Sequence, residues 1–132
     1  MKFTSGTVFS IKRDCTPEAG CTTSEAVSRT ADLSVSVFSL AAHTDISAES
    51  YAYPKLLLVV AGEAESYESG GRTWTLAEGD ALVTPVDIPV GIQSQEGCVY
   101  IELTLTKETH MNEKIKAGEI IRLAELLPTQ DG

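Results

Sequence analysis

From Leu33 the chain alternates: Leu33, Val35 and Val37 are apolar, Ser34 and Ser36 between them are polar, and Phe38 then shifts the phase. Successive side chains of a strand point to opposite faces, so this pattern predicts a half-buried β-strand. Runs of the same style follow over 55–61, 64–68, 72–76, 81–84, 91–95 and 98–106, separated by Gly, Pro, Asp or Ser. Short strands at such close spacing predict an all-β sandwich or barrel. Gly70-Gly71 lies between Ser66-Tyr67-Glu68-Ser69 and Arg72-Thr73-Trp74-Thr75. Glycine reaches the positive φ of a tight hairpin at little cost, so these two strands are predicted to pair antiparallel.

The tail leaves this pattern. Positions 109–118 are polar and charged, and Ile120, Ile121, Leu123, Leu126 and Leu127 follow. Either a strand with a helical turn or a short helix fits them. Gly6-Thr-Val-Phe-Ser-Ile11 resembles Gly118-Glu-Ile-Ile-Arg-Leu123, and Pro17 to Gly20 falls close to Pro128 to Gly132 at the same offset. Two readings follow, a chance likeness over few positions or the start of a second repeat.

The 132 residues suit one domain with a sizeable core. At 42% hydrophobic, 22% charged and 6% aromatic, disorder, collagen and coiled coil are excluded. Ten Lys and Arg against nineteen Asp and Glu give a net charge of −9, which repels phosphate backbones and anionic membrane alike. Neither nucleic acid nor membrane is an expected partner. The longest apolar run, Leu56 to Gly62, falls far short of the roughly 20 residues a membrane helix needs. The opening MKFTSGTVFSIK has no uninterrupted apolar stretch or small-residue cleavage site, so the cytoplasm is the expected compartment. There Cys15, Cys21 and Cys98, at spacings that match no zinc pattern, are expected as thiols. Phosphate-loop, dinucleotide, Gly-x-Ser-x-Gly and HExxH motifs are absent.

His43, Glu49, Tyr51, Lys55 and Gly62 stand at the spacing of the first motif of the cupins, and Gly79, Pro85, Asp87, Val90 and Ser94 at that of the second. Over about 31–106 the chain resembles this superfamily, in particular its small RmlC-like, single-domain barrels. The resemblance implies a double-stranded β-helix, or jelly-roll barrel, with a short strand or helical tail after it. It divides the chain into an opening segment (1–30), the barrel (31–106) and the tail (107–132). Cupins commonly pair through their outer sheets and exchange an amino-terminal strand. A homodimer is therefore expected, with Phe3 to Ile11 as the segment that crosses over.

Cupin enzymes usually hold iron, manganese, nickel or zinc through three imidazoles and a carboxylate. In those four slots this chain carries Glu49, Tyr51, Lys55 and Val90, so the resemblance implies a barrel that has lost its metal-binding histidines. His43 sits in a glycine slot and His110 in a polar stretch, both more simply solvated residues than ligands. No metal and no cofactor are expected. Positions 49, 51, 53 and 55 would share one strand face. Two readings stay open. One is a metal-free pocket in which Glu49 and Lys55 pair, Tyr51 donates to a small amphipathic ligand and Val90 marks an apolar wall. The other is a residual polar core with no ligand.

At the level of function the first expectation is a small-molecule-binding, accessory or sensing cupin, more simply not an enzyme. The alternative is a metal-independent isomerase or epimerase with Tyr51 or Glu49 as acid or base and Lys55 stabilising an enolate. Trp74, Tyr53 and Tyr67 read as packing anchors and Cys98 as a packed thiol. Glu63, Glu65 and Glu68 read as a solvated hairpin face that protects an edge.

Overall fold

Strands that are buried on both faces lose the alternation that marks half-buried ones, and both kinds occur here. A computed structural model of the chain, describing residues 3–105, contains one short helix, α1 (Ile11–Asp14), and nine strands. These are β1 (Thr22–Arg29), β2 (Leu33–Leu40), β3 (Thr44–Glu49), β4 (Lys55–Gly62), β5 (Ala64–Glu68), β6 (Thr73–Leu76), β7 (Ala81–Val83), β8 (Val90–Ser94) and β9 (Cys98–Leu105). They form a five-stranded sheet in the order β1-β2-β9-β4-β7 and a four-stranded sheet in the order β3-β8-β5-β6. Every pairing is antiparallel.

The space between the sheets is filled by Leu40, Leu57, Val59, Tyr100 and Cys98 from one sheet and Ala64, Leu76 and Ile92 from the other, with Phe38, Ile46 and Trp74 packed against them. The intervening residues of the same strands build a second apolar layer on the outer face of the larger sheet. Val37 and Val99 pack there with Phe3, Ile11, Val27 and Cys15, and Leu56 and Leu103 with Leu33, Val35, Val83 and Leu105. That double burial is why 56–61 reads as one apolar run.

Seven of the nine strands lie where the hydrophobic pattern predicts them. β1 and β3 do not announce themselves, because each is an edge strand with few apolar residues. β1 packs only Val27 against the outer layer, and β3 contributes Ile46 to the inner one. In the described residues Phe3 to Ile11 form no strand: Phe3 packs on Phe9 with the rings tilted by 56°, and Phe3 and Ile11 pack on the outer layer of their own chain. The β5–β6 hairpin closes with Glu68 N–H donating to Arg72 O, leaving a three-residue loop. Only Gly71 of the Gly70-Gly71 pair takes positive φ, +101°. The tail, His110 and the repeat-like stretch 118–123 lie outside the described residues.

Four glycine slots of the sequence frame have left-handed backbone, whatever residue fills them: His43 (φ 62°), Gly62 (79°), Gly79 (92°) and Asp87 (60°). At Gly62 the requirement is also steric, since a Cβ there would stand 2.2 Å from Gly97 O. Ser94 ties the same corner together: its hydroxyl donates to Glu63 O (2.7 Å) and accepts from Gly97 N–H (2.9 Å).

Candidate functional site

A cavity of about 160 Å³ opens between the sheets, lined by residues that include Glu49, Tyr51, Lys55, Val90, Tyr100 and Glu102. The four slots that hold metal ligands in the resembled family thus converge on one space, although they come from four different places in the fold. Glu49 ends β3, Tyr51 lies in the connection to β4, Lys55 begins β4, and Val90 begins β8 opposite Glu49 in the β3–β8 register. The expectation that 49, 51, 53 and 55 share one strand face is therefore corrected. The chain leaves the four-stranded sheet after Glu49 and enters the five-stranded one at Lys55, and Tyr53 is not among the lining residues.

The connection is held by its neighbours. Asp87 N–H donates to Tyr51 O (2.7 Å), which uses the left-handed turn at Asp87 to seat the Tyr51 backbone. Thr84 grips Lys55 twice, its N–H donating to Lys55 O (2.9 Å) and its hydroxyl accepting from Lys55 N–H (3.0 Å). Pro85 and Pro89 bracket that loop and fix its φ.

The charges pair differently from the sequence reading. Glu49 and Lys55 do not meet. The Tyr51 hydroxyl donates to Glu49 Oε1, whereas Lys55 Nζ lies 3.3 Å from Glu102 Oε2 and 3.5 Å from the centre of the Tyr51 ring. Glu49 is exposed at the mouth, while the Lys55 and Glu102 side chains are only 13% and 19% exposed. The hydrogen bond to Glu49, followed by burial, pushes the Tyr51 phenol above its ordinary value, so it is held as a proton donor. Burial also pushes up Tyr100, which is stacked on Phe38 with ring centres 5.1 Å apart.

Glu102 is the site residue that the sequence reading missed. Its signal is the β9 alternation: Cys98 and Tyr100 face the interior, and Glu102 is the next residue on that face, a carboxylate inside a run of Val, Ile and Leu. The apolar wall expected at Val90 is present and extends through Ile46, Leu57 and Ile92.

The donor set does not suit a transition metal. Among the described residues no three His, Cys, Asp or Glu side chains converge, and beside Glu102 stands an ammonium rather than an imidazole. His43 is an exposed turn residue away from the cavity. Cys15, Cys21 and Cys98 form no disulfide, and burial pushes the Cys98 thiol up, away from nucleophile character. Trp74 packs on the inner core, with the Arg72 guanidinium 4.8 Å from its ring centre. Glu65 accepts from Gln93 Nε2 and Glu68 pairs with Arg72, so both take part in pairings on the smaller sheet.

No family model and no curated protein matches the sequence. Solved structures do. A conserved protein of unknown function from Streptococcus pyogenes superposes with a TM-score of 0.69 at 22% identity, over 76% of this chain and 88% of its own. A cupin superfamily protein from Desulfitobacterium hafniense gives 0.64 at 23% identity, over 68% and 82%. A DMSP lyase from Ruegeria pomeroyi gives 0.58 at 16% identity, over 65% and 47%. At such identities the likeness is one of fold: this chain is an all-β barrel with the fold seen in cupin superfamily proteins.

Proposed function

We propose that the barrel binds a small organic molecule without a metal ion, in an accessory or sensing role. The observation that carries this reading is the convergence of Glu49, Tyr51, Lys55 and Val90 on one cavity. There a phenol kept protonated and a paired ammonium occupy two of the slots that hold metal ligands in cupin enzymes, facing a wall of Val90, Ile92 and Leu57. Such a site recognises by hydrogen bonding and apolar contact. The proposal extends to a homodimer in the cytoplasm. Three thiols without a disulfide suit a reducing compartment, and the homodimer rests on the resemblance to cupins, which commonly pair through their outer sheets.

The isomerase reading draws on the fact that enzymes share this fold, the DMSP lyase among them. Against it stands the chemistry of Tyr51. A phenol raised in pKa is a poor general base, which leaves Glu49 at the open mouth as the remaining candidate. Tyr51→Phe and Lys55→Ala separate the readings. A binding pocket changes its affinity for its co-purified ligand in both variants and keeps its fold; a residual polar core changes in Tm alone; an enzyme loses turnover of an isomerisable substrate. An affinity left unchanged by both substitutions would overturn the proposal.

A further inference from the structure

The geometry points to a small organic cation as the ligand, its charged head at Glu49 and Glu102 and its apolar body against Phe38, Ile92 and Tyr100. This rests on the pocket reading above and narrows it. Among the described lining residues the charged groups are Glu49, Glu102 and Lys55, two carboxylates against one ammonium. The ammonium is already engaged on two sides, by Glu102 at 3.3 Å and the Tyr51 ring at 3.5 Å, and the Tyr51 proton is committed to Glu49. An anion entering the cavity would find these donors taken and two carboxylates in its way, inside a molecule of net charge −9.

Lys55 also supplies an internal example of what the site accepts. Its side chain is an alkylammonium, and it rests in a cradle made of a carboxylate and an aromatic face, the two groups that attract organic cations most strongly. The exposed carboxylate of Glu49 offers a second cation a place at the mouth. Below it the stacked Phe38–Tyr100 pair, Leu57 and Ile92 form an apolar floor. The size agrees: an apolar cavity of about 150 Å³ admits a benzene ring, and this one measures about 160 Å³.

The test is calorimetric titration of the full chain with benzylammonium, benzyl alcohol and benzoate, which share one apolar body and differ in charge. Benzylammonium is expected to bind about tenfold tighter than benzoate or better, because a unit charge near a surface carboxylate contributes energies of that size. Glu49→Gln removes most of that preference. Lys55→Met, which vacates the cradle, tightens benzylammonium several-fold. Val90→Trp, which fills the cavity, abolishes binding of all three. Benzoate binding as tightly as benzylammonium, or Lys55→Met weakening benzylammonium, would overturn the cation assignment and leave the pocket standing. No binding of any probe, the neutral alcohol included, or binding that persists in Val90→Trp, would instead sink the pocket reading itself.

Discussion

His43 and Asp87 hold left-handed backbone at positions where glycine would be free of strain. A residue with a Cβ pays about 1–2 kcal/mol for that conformation, whereas glycine pays mainly in unfolded-state entropy. His43→Gly is therefore expected to leave stability unchanged or raise it by up to about 1 kcal/mol. Gly62→Ala should cost about 2 kcal/mol or more, since it adds a backbone clash to the same strain. Urea unfolding of the two variants checks both signs. The Lys55–Glu102 pair makes a second local prediction. Glu102→Gln leaves a largely buried ammonium short of its partner and should cost about 1–3 kcal/mol. Much of that should return when Lys55→Met is added, because removing both partners is cheaper than orphaning one. A double-mutant cycle reads the coupling.

Among the elements, what could be read from the sequence depended on how many faces each strand buries. β2, β5, β6 and β8 alternate, β4 is a continuous apolar run after Lys55, and β9 is one over 98–101, so all were legible. β1 reads Thr-Thr-Ser-Glu-Ala-Val-Ser-Arg and forms an edge, and its pairing comes from β2 rather than from its own side chains. The slots of the site were legible because their spacing encodes turns of fixed length, and the backbone at 43, 62, 79 and 87 obeys that spacing. Which charge meets which was not. The partner of Lys55 lies on β9, a strand distant in sequence, and only the β4–β9 register brings Glu102 near it. The strand assignments also predict thiol reactivity. Cys15 and Cys98 are buried in the two apolar layers and Cys21 is exposed before β1, so one thiol of the three should react promptly with an aromatic disulfide reagent in the folded protein and all three after unfolding. Prompt reaction of Cys98 in the native state would contradict the core assignment.

For the whole molecule the titrating groups displaced in the barrel lean the same way. Tyr51, Tyr67, Tyr100 and Cys98 are all pushed up, the last three by burial first. Each is neutral in its protonated form, so the folded state favours the neutral form more than the unfolded chain does. The resulting stability is fully present below the ordinary thiol and phenol values and is lost as pH rises through the folded ones. Tm should thus hold up to about pH 9 and fall steadily above it, and Tyr100→Phe should flatten that fall. Light scattering tests the homodimer: twice the chain mass at low micromolar concentration is expected, and a monomer would contradict it. The central claim, a metal-free barrel that holds a small molecule, is tested most directly by native mass spectrometry and elemental analysis of protein taken straight from cells without chelator. The account predicts an organic adduct that disappears in Val90→Trp, with transition metals far below one per chain. Near-stoichiometric iron, zinc, nickel or manganese, or the same mass with and without a filled cavity, would contradict it.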